Sequence, residues 1–580
     1  MNQDWFEMRD LRKPRLATAT WVPLFTSKVD SSYHKFGEAG FREDFSAAVG
    51  IILPVDSRAK ALQVPWIKAK RHYNHPCVER GIYYPADIFI DEDLQLTGAY
   101  AVLEQSFDGA EPRSLHLHQD LVLSLGLLRE GDIWVRPEED YLDVVRLSRD
   151  VNGKAEAIAM RAEHLRDYLA AKSSGLLVAI FRERRGIFAE NPGFDWASAR
   201  PEENIPGGKW KGFVSEIDES GAPYGSDVAV FKVWRKDVDY QEDVPVFPDP
   251  NDANVAGTSN TFRRAGKKLF LALCDMWRNE WLEPADQSPR VRRDRIEPTI
   301  PFIVDSTGTK ALASQLINET RWLWFRPSVI TEILKRRGAK LGWYSENTGA
   351  IRLPCHSLLH FGQNPKGLIN VFAEDIGFLP EFVQKIWAGH NVSPDGPVSP
   401  ELLSAQMECK PAKTKAPELL LTRSLENLQR VSKETFGESI LKDHPIASEL
   451  LLTIHRFHSV DLPGMCHLCK EITRLIVDRL NLPLLKRLTP AAGKELRSIK
   501  RLEKLLDQRG VDGKEVTKPL VGIYELRHAD AHLPSQDLEH ACALLGIDSE
   551  DNFIEKGKLT IFRVMNAIDK ITQAIASGDM

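Results

Sequence analysis

Short apolar runs set apart by turn residues dominate the beginning of the chain. The first 150 residues contain AAVGIILPV (47–55), ADIFI (86–90) and DIWVRP (132–137), with Gly, Pro and Asp clusters between them. Runs of this length and punctuation are typical of β-strands. The sequence therefore predicts a β-rich N-terminal domain over residues 1–150.

Residues 151–400 mix the two hydrophobic periods. Apolar positions recur at helical spacing from Ala155 to Ala171, and the segment 262–283 also reads as a helix. Pro327 is suited to the first turn of a helix through Arg337. This mixture predicts an α+β region. So large a part of the chain is most simply the part that senses a signal or sets specificity. The remaining predicted elements are strands at 176–181, 210–217, 228–235 and 299–305, and a hairpin at 341–353.

The pattern changes again after a stretch rich in Pro, Lys and small residues, 391–417. Such a composition is typical of a linker, which we place at 401–416. Beyond it, apolar stripes recur every three or four residues, as in Leu468, Ile472 and Leu475. We expect residues 417–580 to form an all-α helical bundle. The predicted fold class is α+β, with a strand-rich N-terminal region followed by this bundle.

Composition and charge narrow the class of protein. The 580 residues are 43% hydrophobic and 27% charged, as in an ordinary globular protein. The net charge of −6 excludes strong attraction to nucleic acid by the protein as a whole, so RNA binding would need a local basic face. Seven scattered cysteines favour a reducing compartment. The start MNQDWFEMRDLRKPR lacks the apolar core of a signal peptide, and we expect a cytoplasmic protein without membrane contact.

The segment ELRHADAH (525–532) carries the most informative chemistry. Arg527 is followed by the polar residue His528, and His532 comes five positions after the arginine. Five positions turn by about 140–150° on a regular helix, but a fraying helix end and a long arginine side chain allow convergence on one ligand. Pro534 favours a helix end here, and Asp530 is spaced to pair with Arg527.

Arginine and histidine together suit phosphodiester cleavage. The guanidinium of Arg527 offers a planar fork of donors to a phosphate. The imidazole of His532 can take a proton from a ribose 2′-hydroxyl or give one to a leaving oxygen near neutral pH. The alternative is a purely structural role, because basic residues near a helix C-terminus are common complements to the helix dipole.

This segment resembles the signature of the HEPN superfamily: arginine, a polar residue, a few positions, then histidine, at a helix end. The resemblance covers residues 417–580. It implies a metal-independent endoribonuclease, without cofactor, in which two copies of the domain form one composite site in a homodimer. It also implies Arg527 and His532 as catalytic residues, with His528 as the intervening polar residue; we add Asp530 as an orienting residue.

The expected activity is cutting of RNA, with tRNA as one candidate, in antiviral defence by abortive infection. The N-terminal region would then bind a trigger such as a phage product. Two alternatives stay open. In the first, the protein binds RNA or DNA without cutting it: the helical domain is an inert dimerisation or RNA-holding module and the front part binds a partner or DNA, so that the winged-helix-like segment at 327–353 is the feature to test. In the second, the chain is the toxin of a toxin–antitoxin pair.

Other polar clusters are candidates for binding. Arg497, Lys500, Arg501 and Lys504 recur at helical spacing and could hold an RNA backbone, although they could equally form a solvated helix face. We expect no metal site, since no cluster matches a common zinc spacing. The weak metal candidates are His455-x-x-His458 with Cys466-x-x-Cys469, His116 with His118 and Asp120, and Cys355-His356 with His360.

Overall fold

The chain divides into two compact units, Met1–Ile296 and Glu297–Met580, in the computed structural model. None of the helices in the parts of the chain that it describes is both long and apolar enough to cross a membrane. The described residues are 3–34, 38–70, 77–79, 81–107, 110–217, 227–235, 255–263, 269–294, 300–354, 356, 358–490, 496–527, 535–548 and 550–577.

A large antiparallel sheet of twelve strands organises the first unit. Its long central strands pair residue by residue, from Leu176 opposite Leu282 to Phe188 opposite Phe270. Leu96–Tyr100 pairs with the strand Arg42–Pro54 and with Ile88–Asp91. The other ten strands follow in sheet order: Glu202–Ile205, Gly208–Ile217, Leu269–Leu282, Ser174–Phe188, Arg42–Pro54, Trp21–Ser31, Ala155–Arg161, Leu142–Arg149, Ile133–Arg136 and Leu128–Glu130.

Among its described residues, this unit also has smaller elements. Three two-stranded sheets are Cys77–Glu79 with Ile82–Tyr84, Val102–Phe107 with Ala110–Leu117, and Asp227–Arg235 with Val255–Arg263. The α-helices are Gln3–Glu7, Arg58–Ala61, Trp66–Ala69, Gln119–Ser124 and Ala162–Ala171. Four 3₁₀ turns are Arg9–Leu11, Leu16–Thr18, Val55–Ser57 and Pro137–Glu139.

Two helices predicted from periodicity are wrong in whole or in part. The segment predicted from Ala155 to Ala171 begins as the strand Ala155–Arg161, and only Ala162–Ala171 is helical. The segment 262–283 contains the strand Leu269–Leu282, paired on both sides. In both places neighbouring strands supply backbone hydrogen-bond partners, and this tertiary pairing overrides a local helical pattern.

The sheet also runs through the position at which we predicted a domain boundary, residue 150. Trp21–Ser31 pairs with Ala155–Arg161, and Arg42–Pro54 pairs with Ser174–Phe188. Strands from both sides of residue 150 therefore share one set of backbone hydrogen bonds and a common apolar core.

The second unit begins with a six-stranded antiparallel sheet. The predicted helix near Pro327 is confirmed as Ser328–Leu334, and the predicted hairpin is Lys340–Trp343 paired with Thr348–Arg352. Pro301–Ile303 and Lys310–Leu312 form a separate pair, and the other helices are Ala313–Leu316, Ala373–Gly377, Glu381–His390 and Pro400–Met407. In sheet order the strands are Lys340–Trp343, Thr348–Arg352, Leu359–Gln363, Ile369–Phe372, Trp322–Phe325 and Asn391–Val392.

Helices follow one another from residue 417 onward. Their apolar stripes meet in one core, in which Leu468, Ile472 and Leu475 are fully buried as their spacing predicts. With the strands of the first unit, these helices confirm the α+β class. Their bounds are Pro417–Phe436, Ile446–Thr453, Leu462–Leu475, Leu482–Leu488, Ser498–Gln508, Gly513–Leu526, Ser535–Leu545 and Phe553–Ala576, with a 3₁₀ turn at Arg456–His458.

A buried ion pair lies where these helices meet the sheet of the same unit. Arg456 donates from Nε and Nη2 to the two carboxylate oxygens of Glu418, at 2.9 and 2.8 Å, and its guanidinium lies 4.4 Å from the centroid of the Trp343 ring. Phe457 packs in the sheet's own apolar core. We name this contact, formed by Arg456, Glu418, Trp343 and Phe457, the buried junction.

The predicted linker, 401–416, lies between these two parts. It begins inside the helix Pro400–Met407, and the Glu401 carboxylate accepts hydrogen bonds from the hydroxyls of Ser345 and Thr414, each at 2.6 Å. Ala416 is fully buried. These contacts attach both ends of the segment to the second unit.

Candidate active site

The helix Gly513–Leu526 positions the arginine of the predicted motif. Its N-terminus is capped by Asp512, whose carboxylate accepts a hydrogen bond from the Glu515 backbone N–H at 3.0 Å. Its inner face buries Val516, Leu520 and Ile523 in the helical core. Arg527 is the residue that ends the helix, where its positive charge complements the helix dipole.

Two neighbours hold the Arg527 side chain at the protein surface. Nη1 donates to both carboxylate oxygens of Asp478, at 3.1 and 3.2 Å. The guanidinium carbon also lies 4.1 Å from the centroid of the Tyr524 ring, one helical turn earlier, in cation–π geometry. The Arg527 side chain is 20% exposed and that of Asp478 is 48% exposed. The guanidinium is thus held in place on a side chain that is partly exposed.

The other residues of the motif, His528, Asp530 and His532, lie outside the described residues. Their roles stay predictions. The structure describes the chain again from the helix Ser535–Leu545.

Two acidic groups and a further histidine near this helix end were missed by sequence reasoning. His540 Nδ1 lies 3.2 Å from Glu525 Oε2, and both side chains are exposed. Asp478 is 49 positions from Arg527 along the chain, so no local spacing could have linked the two residues. In the sequence, Tyr524 falls in an apolar stripe with Val516, Leu520 and Ile523, and this spacing does not indicate its contact with Arg527.

The predicted RNA-binding face on helix Ser498–Gln508 is only partly basic at the surface. Arg501 is 6% exposed, and its guanidinium donates to the backbone carbonyls of Thr489 and Leu496, at 3.0 and 3.2 Å. Lys500 pairs with Glu503 at 2.8 Å. Arg497 and Lys504 are exposed. Arg501 therefore bonds to Thr489 and Leu496, and the charge of Lys500 is partly neutralised.

Among the described residues, no group of three or more His, Cys, Asp or Glu side chains is placed to hold a metal ion. Cys466 and Cys469 are buried in the helical core, and burial raises the pKa of the Cys469 thiol well above its usual range. His455 and His458 stack on each other, with ring centroids 4.2 Å apart. Burial lowers the pKa of both imidazoles.

The remaining histidine candidates are engaged separately. His118 Nε2 lies 2.7 Å from Asp87 Oδ2, whereas Asp120 accepts a hydrogen bond from the Tyr168 hydroxyl at 2.8 Å. The ring of His116 is partly buried, which lowers its pKa. His356 lies beside the Phe382 ring and His360 beside Tyr344, while Cys355 is outside the described residues.

Comparisons with known proteins assign no role to the residues of this site. No model of a protein family matches this sequence. No curated protein and no solved structure matches the chain either.

Proposed function

We propose that the protein is an endoribonuclease that cuts RNA without a metal ion. Residues 417–580 would form an all-α helical bundle of the HEPN type that contains the site. The observation that carries this proposal is the arrangement of Arg527: it ends a helix, is held by Asp478 and Tyr524, and keeps its guanidinium at the surface. A guanidinium so placed can bind a phosphate and stabilise charge that develops on it.

In the proposed reaction a ribose 2′-oxygen attacks the adjacent phosphorus. The 2′-hydroxyl loses its proton, the bond from phosphorus to the 5′-oxygen breaks, and the leaving oxygen takes up a proton. The products are a 2′,3′-cyclic phosphate and a 5′-hydroxyl. His532 acts as general base or general acid, and Arg527 binds the phosphate and its transition state. His528 and Asp530 orient these two residues, and a homodimer brings two copies of the motif together.

The proposed biological setting is antiviral defence in the cytoplasm. Host RNA, with tRNA as one candidate, would be cut once the N-terminal region binds a trigger such as a phage product. The first unit supplies a large strand-rich scaffold for that role.

A second candidate function is nucleic-acid binding without cutting. The helix Ser328–Leu334 is followed directly by the hairpin Lys340–Trp343 with Thr348–Arg352, as in the winged-helix-like hypothesis. Lys335, Arg337 and Lys340 are exposed next to it. A toxin silenced by a separate antitoxin is a variant of the first function. Growth assays with and without co-expressed neighbouring genes would distinguish such a toxin from a protein that regulates itself.

The deciding experiment is incubation of the purified full-length protein with RNA in the presence of EDTA. We expect cleavage products that end in a 2′,3′-cyclic phosphate, formed at least about 100-fold more slowly by the Arg527→Ala variant and not formed by the His532→Ala variant. If both variants cut as well as the parent, the site is wrong. RNA that is retained but remains intact with the parent protein would favour the binding function.

A further inference from the structure

The outer face of helix Leu462–Leu475 carries two cations. Lys470 and Arg474 are exposed, whereas Cys466, Cys469 and Ile472 on the inner face are buried. Residues four positions apart lie on the same helix face, about 6 Å apart along the axis. The two charges therefore form a row parallel to the helix.

Two contacts link this helix and the residues that follow it to the helix that Arg527 ends. The helix packs against Gly513–Leu526, and the Thr473 hydroxyl donates to the Ile523 carbonyl at 3.4 Å. Asp478, four residues beyond Arg474, accepts the hydrogen bonds of the Arg527 guanidinium. Lys470 and Arg474 thus lie on the helix that packs against the helix that Arg527 ends, and we name these three residues the basic strip.

The charges of Lys470 and Arg474, the two helix cations of the basic strip, are available to bind an anion. Among the residues that the structure describes, neither Lys470 nor Arg474 forms an ion pair. Glu471, which lies between them in sequence, is only 14% exposed and is turned toward two histidines, with Oε2 3.9 Å from His458 Nε2 and 4.0 Å from His467 Nδ1. On helix Ser498–Gln508, by contrast, Lys500 is paired with Glu503.

We propose that the basic strip is the path of the RNA backbone into the site at Arg527. This inference rests on the proposed ribonuclease function and names how its substrate is held. Lysine and arginine side chains bind phosphates without reading bases, so the strip sets the position of the strand and not its sequence. The two exposed cations Lys470 and Arg474 also supply the local positive charge that a chain with a net charge of −6 needs to hold RNA.

The test is the salt dependence of binding to a labelled single-stranded RNA. The His532→Ala protein serves as the background, so that the RNA stays intact. The plot of log K against log salt has a negative slope, to which each phosphate contact contributes about −0.7. Adding Lys470→Ala and Arg474→Ala to the background should therefore make the slope less steep by about 1.4 and weaken binding. The matched control is Lys433→Ala/Lys514→Ala, which removes two exposed lysines from helices Pro417–Phe436 and Gly513–Leu526 and should keep the background slope.

The outcomes separate the two proposals. An unchanged slope in Lys470→Ala/Arg474→Ala, together with cutting that depends on Arg527, overturns the basic strip and leaves the ribonuclease intact. If the slope becomes less steep only in Lys500→Ala/Lys504→Ala, the RNA path lies on helix Ser498–Gln508, and the proposal for the basic strip is overturned. A parent protein that neither binds nor cuts RNA overturns the function and the strip together. A midpoint of thermal unfolding equal to that of the parent protein shows that a variant is folded.

Discussion

Two arginines of the second unit have the same kinds of partner but differ in their contact with water. Arg456 pairs with Glu418 and lies 4.4 Å from the Trp343 ring, and Arg527 pairs with Asp478 and lies 4.1 Å from the Tyr524 ring. The side chains of the first pair are 0% and 5% exposed. Those of the second pair are 20% and 48% exposed.

This difference in exposure separates a structural arginine from a candidate catalytic one. Inside the buried junction, neither charge can turn to water if its partner is removed, so the pair is fixed. At the surface, an ion pair contributes about 1 kcal/mol or less, and a phosphate can replace Asp478 at little cost. Residue type and local partners are therefore not enough to assign a role; solvent exposure is needed as well.

The largest expected effect is the loss of stability in Arg456→Ala. Glu418 would keep a buried and unpaired charge, which typically destabilises a fold by about 3–5 kcal/mol. Denaturant unfolding of the full chain, followed by tryptophan fluorescence, measures this loss. As a control, Arg430→Ala removes a pair with Glu434 whose side chains are 61% and 60% exposed, and we expect a change within about 0.5 kcal/mol.

A double substitution sharpens the same point. Replacing both charges of the buried junction, as in Arg456→Met/Glu418→Leu, leaves no unpaired charge and should be less destabilising than Arg456→Ala alone. If the double variant is instead the least stable of all, the hydrogen bonds and not the charge dominate the buried junction.

The second effect in size is the loss of cutting in Arg527→Ala. We expect stability to change by about 1 kcal/mol or less, because the pair is exposed. The cleavage rate constant should fall by about 100-fold or more, since removal of one donor to transition-state charge costs about 2.7 kcal/mol. Single-turnover cleavage and denaturant unfolding of the same sample measure both quantities. A variant that loses stability like Arg456→Ala would erase the contrast between the two arginines.

The smallest effect concerns acid sensitivity of the buried junction. His455 directly precedes Arg456 in the sequence, and its ring stacks on that of His458. Burial is the main cause that holds the pKa of His455 well below the ordinary value, and the positive charges of His458 and Arg456 add to it. The unfolded chain therefore takes up a proton below about pH 6.5 while the folded chain does not, and stability falls as the pH falls, by up to about 1.4 kcal/mol per pH unit.

Replacement by a ring that cannot ionise tests this sign. In His455→Phe, the decline in stability between pH 7 and pH 5 should be shallower than in the parent protein. Unfolding curves across that pH range give the comparison directly. Parallel declines in the two proteins would assign the acid sensitivity to other groups.

The fold was predictable where local pattern and tertiary packing agree. The stripe of Leu468, Ile472 and Leu475 is helical and buried because one apolar face suffices to specify a surface helix. The strand Leu269–Leu282 was missed because its partners, Ser174–Phe188 and Gly208–Ile217, lie far away in sequence. Similarly, the spacing of Arg501 predicted a basic face, but carbonyls of Thr489 and Leu496 turn this side chain inward.

The sequence by itself determined the short-range features of this protein: the strand-rich beginning, the helical end, and the order of Arg527, His528, Asp530 and His532. Only the tertiary structure decided which arginine is buried, which carboxylate each arginine meets, and which cations remain unpaired. Glu418 and Asp478 lie 38 and 49 positions from their arginines. The physical reason is that exposure and ion pairing depend on how distant segments pack, whereas helical and strand periods arise from neighbouring residues.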